Sequence, residues 1–374
     1  MRVVVSGGGS GGHIFPALAV AESVKRLRPE AELLYIGGTS GMECQVVPER
    51  GVPFQAVTAR KLKKVFSPST IGVLHSLWKG YREARQYLNA FGADVVVGTG
   101  GYVAAGAVLA GAKLGLPTLI VSPDVIPGRT NRLLARYAKR ICIAFEQTRA
   151  NFTADKCVLT GLPLRAGIIA SPDIEAAQAR CTFSNLQAAK FTIVVIGGSQ
   201  GAQALNRLVL EAAPKLLDSG MQILHQTGPR NFANVQQQAQ EQGLLARSGY
   251  KPIAFLNEAE VPFALRAADV IVCRGGISTL SEAMVNGLPA IVVPLPTAYA
   301  DHQTINARVL EAAGAALLRS ENVLTATSLT ANLLGLRDNV EQRAGMRQAM
   351  LTLGRPQAAD LVALEVFKLI DGSH

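Results

Sequence analysis

Short runs of apolar residues alternate along the chain with longer stretches in which apolar positions recur every three or four residues. Val3–Val5, Leu33–Ile36, Val95–Val97, Thr118–Val121, Arg140–Ala144, Ile193–Ile196, Gln222–His225, Val270–Cys273 and Ala290–Val293 read as buried strands, because their apolar residues run nearly unbroken. The segments between them, such as Pro16 to Leu27 and Leu205 to Leu217, carry the period of amphipathic helices. Strand–helix alternation predicts parallel sheets covered on both faces, a doubly wound α/β fold with ligands at the carboxyl ends of the strands. The pattern restarts midway: Phe191 to Ala202 repeats the opening order of strand, glycine-rich turn and helix, after a weakly periodic polar stretch from Ser171 to Lys190. At 374 residues the chain exceeds one ordinary core. Two Rossmann-like domains facing a cleft are therefore expected, with a junction near Gly161-Leu162-Pro163. The expected division is 1–162 plus 345–374 against 163–344, with the helix Ala358 to Ile370 packing back on the first domain.

The turns carry the chemistry. Gly7-Gly8-Gly9-Ser10-Gly11-Gly12-His13 joins the first strand to the first helix. Glycines there let the backbone approach a ligand, and the helix N-terminus behind them favours negative charge. The histidine is the unusual part, since it titrates near neutral pH and can move a proton beside a phosphate. Gly7, Gly9 and Gly12 also fit the dinucleotide fingerprint. That reading requires an acidic residue at the end of the second strand, and Gly37-Gly38-Thr39 stands there instead. A nicotinamide-dependent oxidoreductase is thereby disfavoured. Gly98-Thr99-Gly100-Gly101-Tyr102 and Gly197-Gly198-Ser199-Gln200-Gly201 form two more such turns, which suggests one phosphate-bearing ligand per domain. In Arg274 to Glu282, Ser278 and Thr279 offer hydroxyls and N–H groups, and the Glu282 carboxylate suits a ribose diol; a plain capped helix fits the same residues. In Asp301-His302-Gln303-Thr304-Ile305-Asn306, His302 and Gln303 suit sugar hydroxyls, while a helix cap at Asp301 with an exposed histidine is the alternative.

Composition narrows the partners. Hydrophobic residues make up 49% and charged residues 17%, yet no apolar run reaches the ~18–20 residues of a membrane helix. The sequence enters a core strand at once, so no secretory signal is expected. Cys44, Cys142, Cys157, Cys181 and Cys273 are scattered and odd in number, which predicts reduced thiols rather than disulfides or a zinc site. No metal-ligand cluster is visible, so no cofactor and no obligatory protein-bound metal are expected. A net charge of +10 suits phosphorylated ligands or an anionic membrane surface. Nucleic acid is disfavoured, because only 5% of residues are aromatic and no zinc-finger or RNP-type motif occurs. Ile71, Leu74, Leu77 and Trp78 fall near one helical face, with Lys61, Lys63, Lys64, Lys79, Arg82 and Arg85 around them. That arrangement suits a helix lying on a membrane surface, and equally a core-facing helix with a solvated basic side.

Taken in order, the motif ending His13-Ile14-Phe15-Pro16, Gly38 to Pro48 (GTSGMECQVVP), Gly98 to Val103, Gly161 to Arg165 (GLPLR), Gly197 to Ala202, Ser278 to Glu282 and Asp301 to Ala307 closely resemble the MurG family. These are UDP-N-acetylglucosamine transferases that complete a lipid-linked muramyl-peptide precursor of peptidoglycan. The resemblance runs from about residue 2 to about residue 316 and implies the two-domain GT-B arrangement. It implies an inverting transfer of GlcNAc from UDP-GlcNAc to the C4 hydroxyl of undecaprenyl-diphospho-N-acetylmuramoyl-pentapeptide, in cell-wall synthesis at the cytoplasmic face of the membrane. By the same resemblance Ser10, Gly11 and Gly12 lie near the sugars and His13 is the general base. Arg165 and Ser199 contact the donor diphosphate, and Leu256 offers its backbone to uracil. Ile277, Ser278, Thr279, Leu280 and Ser281 line the nucleotide, Glu282 holds the ribose, and His302 and Gln303 read the GlcNAc hydroxyls. The helix around Leu77, Trp78 and Lys79 is the membrane contact.

Two places depart from the family pattern, both on the acceptor side: Ala104-Ala105-Gly106 replaces Ser-Gly-Pro, and Ser122-Pro123-Asp124 replaces Glu-Gln-Asn. Asp124 thus puts an acceptor-only carboxylate near the sugars where the family has an amide. Three other readings stay open on that account: a related lipid glycosyltransferase with another acceptor, an enzyme like the UDP-GlcNAc 2-epimerases, and a nucleotide-binding membrane scaffold without turnover.

Overall fold

The computed structural model describes residues 1–59, 69–168, 175–198 and 201–372, without the side chains of 69–74. The chain divides into two compact units, Met1–Arg165 with Pro356–His374, and Ala166–Arg355. Among the described residues the first unit holds a seven-stranded, wholly parallel sheet. Its strands are β1 (Arg2–Ser6), β2 (Glu32–Gly38), β3 (Phe54–Val57), β4 (Val95–Gly98), β5 (Thr118–Ser122), β6 (Arg140–Ile143) and β7 (Cys157–Leu159), in the order β3-β2-β1-β4-β5-β6-β7. Its first helices are α1 (Gly11–Leu27), α2 (Glu43–Glu49), α3 (Ser69–Phe91), α4 (Gly101–Lys113) and α5 (Arg129–Leu134).

Strand side chains alternate between two cores. Val3, Val5, Val95, Val97, Leu119 and Val121 pack with Ala17, Val20 and Val24 of α1. Val4, Val96, Ile120 and Ile141 pack on the other face with Ala84 and Leu88 of α3 and Ala107 and Val108 of α4. The middles of the central strands are thus apolar on both faces, as a sheet covered on both sides requires.

Among the described residues the second unit repeats the plan with six parallel strands, β8 (Thr192–Ile196), β9 (Gln222–Gln226), β10 (Tyr250–Ile253), β11 (Val270–Cys273), β12 (Ala290–Val292) and β13 (Ala316–Leu318), in the order β10-β9-β8-β11-β12-β13. Its helices are α6 (Ala176–Cys181), α7 (Gln203–Asp218), α8 (Phe232–Glu241), α9 (Glu260–Ala267), α10 (Ile277–Val285), α11 (His302–Ala312), α12 (Ala326–Asp338) and α13 (Val340–Leu353). The last helix, α14 (Ala358–Asp371), returns to the first unit and lies along α1. Val362 and Val366 enter that core, while Arg26 pairs with Asp360 and Arg28 with Asp371 at 2.6 Å.

The second unit extends further than residue 344. Helix α13 packs on α10, with Gly354 close against the Met284 carbonyl, so the return falls at Pro356. Four strands exceed the nine apolar runs, and all four are sheet edges: β3, β7, β10 and β13. Edge strands are short and half-covered, and they tolerate polar residues and proline, as Lys251 and Pro252 in β10 illustrate.

Candidate active site

In both sheets the strand order reverses beside the first strand of the unit, between β1 and β4 and between β8 and β11. Crevices at the carboxyl ends of such switch points are where doubly wound sheets bind ligands. Four of the singled-out turns leave those four strands: Gly7–Gly12 and Thr99–Tyr102 in one unit, and Gly197–Gly201 and Arg274–Gly276 in the other.

In the first unit Ser6 pairs with Gly98, so the two turns start side by side. Gly9, Gly100 and Gly101 have φ of 81°, 105° and 78°, which fold both turns tightly. Ser10 precedes α1 and makes no side-chain cap; the His13 N–H bonds the Ser10 carbonyl, and the Gly11 and Gly12 N–H groups are those presented at the open end of the turn. His13 lies in that first turn of α1. Its Nδ1 is 3.0 Å from the Thr99 carbonyl, and the Thr99 hydroxyl donates back to the His13 carbonyl at 2.6 Å. A carbonyl only accepts, so Nδ1 carries the proton and Nε2 is left with a lone pair, the tautomer a general base needs. Desolvation holds the imidazole pKa below the usual histidine value, opposed by the Thr99 carbonyl and by the negative charge of Asp124. His13 is therefore neutral at pH 7.

Asp124 follows β5, and its carbonyl accepts from the Thr148 hydroxyl at 3.2 Å. Nearby, Ser122 Oγ and Asn131 Oδ1 are buried without hydrogen-bond partners among the described residues. Arg165 lies with its guanidinium 4.1 Å over the Phe15 ring, which holds it against α1.

One expectation is corrected here. The tip of β2 does carry a carboxylate: Glu43, at the start of α2, is fully buried and accepts from the N–H groups of Gly9 and Gly38, both at 3.4 Å. It arrives from the next helix rather than from the strand, which is why the strand's own residues do not reveal it.

In the second unit Gly198 and Gly201 have φ of 87° and 78°, and a side chain on Gly201 would strike the Thr227 carbonyl and Asn231. The turn leads to the uncapped N-terminus of α7; Ser199 and Gln200 lie outside the described residues. Behind it His225 is buried, with Nδ1 3.0 Å from the Tyr250 hydroxyl and Nε2 3.1 Å from Asn206 Oδ1. Burial pushes its pKa down to about 3, and it serves the scaffold rather than proton transfer.

The Arg274 and His302 segments meet. A side chain at Gly275 would collide with the Gln303 carbonyl, and Asn306 donates to the Gly275 carbonyl at 3.3 Å. Arg274 is structural: it donates to the Val293 and Pro294 carbonyls at 3.0 and 3.2 Å and pairs with Glu321. On α10 the helical period turns Ser278, Thr279 and Glu282 toward solvent, while Ile277, Leu280 and Ser281 face inward. Leu280 is a core residue whose N–H bonds the Gly276 carbonyl; Ser281 Oγ is buried without a partner among the described residues. Leu256 is likewise buried, leaving only its backbone available to a ligand. Gln303 Oε1 accepts from the Leu295 N–H at 2.9 Å, so its amide NH2 is the group free to point outward. His302 opens α11 after Ala300 and Asp301, both left-handed at φ 49° and 53°. Asp301 makes no side-chain cap there.

On α3 Trp78 is 56% exposed, with Arg82 stacked 4.8 Å above its ring and Lys79 paired to Glu83 at 3.9 Å. The Ile71 and Leu74 side chains, and Lys61, Lys63 and Lys64, lie outside the described residues. No described helix is long and apolar enough to cross a membrane. The described residues contain no cluster of His, Cys, Asp and Glu able to hold a metal, and all five cysteines are free.

Two doubly wound units with glycine-rich turns at both switch points define a nucleotide-sugar enzyme of the GT-B class. Residues 3–143 match the glycosyltransferase family 28 N-terminal domain and residues 192–362 its C-terminal domain. A protein of Desulforudis audaxviator named UDP-N-acetylglucosamine--N-acetylmuramyl-(pentapeptide) pyrophosphoryl-undecaprenol N-acetylglucosamine transferase is 37% identical over 100% of this chain and 99% of its own. A namesake from Bacillus pumilus is 38% identical over 96% of both chains. The crystal structure of Acinetobacter baumannii MurG aligns with a TM-score of 0.75 at 27% identity, covering 98% of this chain and 99% of that one. A UDP-GlcNAc 2-epimerase from Neisseria meningitidis aligns at 0.70 over 98% of this chain and 100% of its own; at 15% identity it shares the fold alone. The chain belongs to glycosyltransferase family 28, as a member of its MurG branch, and is a UDP-GlcNAc-dependent glycosyltransferase.

Proposed function

We propose that the chain transfers GlcNAc from UDP-GlcNAc to the C4 hydroxyl of undecaprenyl-diphospho-N-acetylmuramoyl-pentapeptide, with inversion at the anomeric carbon. The observation that carries this reading is the His13 tautomer: a neutral imidazole fixed by the Thr99 carbonyl, with Nε2 free beside a turn built for phosphate. A sugar hydroxyl is a poor nucleophile at neutral pH, so a base must take its proton as it attacks. The acceptor C4 oxygen bonds to C1 of GlcNAc, the bond from C1 to the β-phosphate oxygen breaks, the proton passes to His13 Nε2, and UDP departs.

In this reading Ser10, Gly11 and Gly12 seat the acceptor diphosphate with their N–H groups. The α7 N-terminus, Ser199 and Arg165 stabilise charge on the departing UDP. Arg165 then leaves the Phe15 ring when the donor arrives. Ser278, Thr279 and the N–H of Ile277 contact the nucleotide, Leu256 meets uracil through its backbone, Glu282 accepts the ribose hydroxyls, and His302 with Gln303 reads GlcNAc. Ser122, Asp124 and Asn131 hold the muramyl sugar, which gives the two orphaned buried oxygens partners. Trp78, Leu77 and the surrounding basic residues rest on an anionic membrane surface, which places the enzyme peripherally at the cytoplasmic face.

Transfer of labelled GlcNAc from UDP-GlcNAc to a prenyl-diphospho-muramyl-pentapeptide tests the reading. Robust transfer, slowed about 10²–10⁴-fold in His13→Ala, is expected. UDP-GlcNAc binding without transfer would exclude this acceptor and favour another lipid, the reading to which Asp124 points.

A further inference from the structure

The glycine-rich turn of the first unit has a closed half and an open half. Gly7 and Gly8 are buried: the Tyr35 hydroxyl donates to the Gly7 carbonyl at 2.8 Å, and Tyr102 lies against Gly9. Gly9 and Ser10 are exposed and Gly11 and Gly12 are partly so. The boundary between the halves is Glu43. Its side chain is wholly buried, and its Oε1 takes the Gly9 and Gly38 N–H groups. A Cβ on Gly8, Gly38 or Gly41 would come within 2.6, 3.0 and 2.5 Å of the carboxylate, so glycines of two separate turns are shaped around it. Among the described residues its Oε2 has no hydrogen-bond partner and no cation pairs with it. A buried acid with one oxygen unused is costly for stability alone.

We infer that Glu43 sets the register of the acceptor diphosphate: its carboxylate lies against Gly8 and occupies the N–H of the exposed Gly9, repels phosphate from that part of the turn, and leaves the N–H groups of Gly11 and Gly12 as the seat. The inference rests on the acceptor reading above. A diphosphate one residue nearer to Gly9 would carry the acceptor hydroxyl away from His13 Nε2. Glu43 is thus a positioning residue. It favours the productive register by making the wrong one repulsive.

The discriminating substitution is Glu43→Gln, which keeps Oε1 for both glycine N–H groups and removes the charge. Inorganic pyrophosphate is the probe, measured by calorimetry and as a competitor of the lipid acceptor. In E43Q pyrophosphate binds about three- to tenfold tighter, from the loss of one nearby like charge. The KM for the lipid acceptor falls, and kcat falls with it because the tighter complex is out of register. A merely structural role would lower the melting temperature or raise KM, without tighter pyrophosphate binding. Transfer by the wild type with unchanged pyrophosphate affinity in E43Q overturns this inference alone. No transfer by the wild type overturns the acceptor reading and this inference with it. Where E43Q does not fold, Glu43→Asp keeps the charge, and pyrophosphate must bind it no tighter than the wild type; tighter binding overturns the inference.

Discussion

Replacing Gly100 by alanine should disable the enzyme through His13 without touching any substrate contact. Gly100 has φ 105° and ψ −172°, a region open in practice to glycine alone. Placing alanine there costs on the order of 1–3 kcal/mol. A Cβ at this position would lie 2.8 Å from His13 Nδ1 and 2.9 Å from Cε1. To restore ordinary contact near 3.4 Å the ring must retreat by about 0.6 Å. That breaks the 3.0 Å bond from Nδ1 to the Thr99 carbonyl, a further loss of about 1 kcal/mol, and frees the ring to turn. Misplacing a reacting group by about 1 Å costs about a hundredfold in rate. A drop in kcat of about 10- to 100-fold is therefore expected in the GlcNAc-transfer assay. KM for UDP-GlcNAc should stay unchanged, with the first thermal transition lowered by about 4–16 °C, at about 2–4 °C per kcal/mol for a unit of this size. Gly115→Ala is the control, since Gly115 also has positive φ, at 81°, but a Cβ there meets nothing within 4 Å. It should lose some stability and keep its rate. A folded G100A enzyme within about threefold of the wild-type rate would refute the argument that the Thr99 turn positions the base.

Other expectations follow from the same geometry. Transfer needs neutral His13, whose pKa is lowered by burial, so kcat/KM should hold as pH falls through the ordinary histidine range and decline only below it. Asp124→Asn removes a charge that raises that pKa and should move the acid limb to still lower pH; a limb moving upward would contradict the assignment. Glu282→Ala should raise KM for UDP-GlcNAc by about 10- to 100-fold and leave the acceptor KM alone, the loss of a charged hydrogen-bond acceptor for two hydroxyls. His225 is neutral when folded, with its pKa near 3, whereas the unfolded chain binds that proton near 6.5. Its contribution to stability is thus complete above pH 6.5 and is lost as pH falls from there toward 3. His225→Leu should cost about 1–3 kcal/mol at pH 7, by stranding the Tyr250 hydroxyl and Asn206, and should flatten the acid slope in denaturant titrations.

Periodicity reveals the middle of each sheet and misses its margins. Central strands such as β1 and β4 are buried on both faces and write continuous valine runs into the sequence. Edge strands such as β3 and β13 need no such run and look like loop or helix. The glycine-rich turns are legible because positive φ and close packing leave glycine as the residue that fits. Gly100, Gly101 and Gly275 in effect record the positions of His13 and Gln303. What packs against those glycines is not legible. Thr99 supports His13 with a backbone carbonyl that any residue would supply, so no sequence signal for the tautomer exists. Glu43 meets Gly9 across 34 residues, within a motif whose acidic residue has no evident partner until the chain is folded. On α10 the periodicity of a nine-residue helix separates Glu282 from Leu280, a distinction that motif matching does not make.

The central claim is that a neutral His13, fixed through Nδ1, removes the proton from the acceptor hydroxyl. The most direct test is the pH dependence of single-turnover GlcNAc transfer from UDP-GlcNAc to a prenyl-diphospho-muramyl-pentapeptide, for the wild type and His13→Ala side by side. The account predicts a wild-type profile with an acid limb below the ordinary histidine range, and a His13→Ala enzyme slower by about 10²–10⁴-fold that lacks this limb. Equal rates in the two proteins, or an unchanged acid limb in His13→Ala, would contradict it.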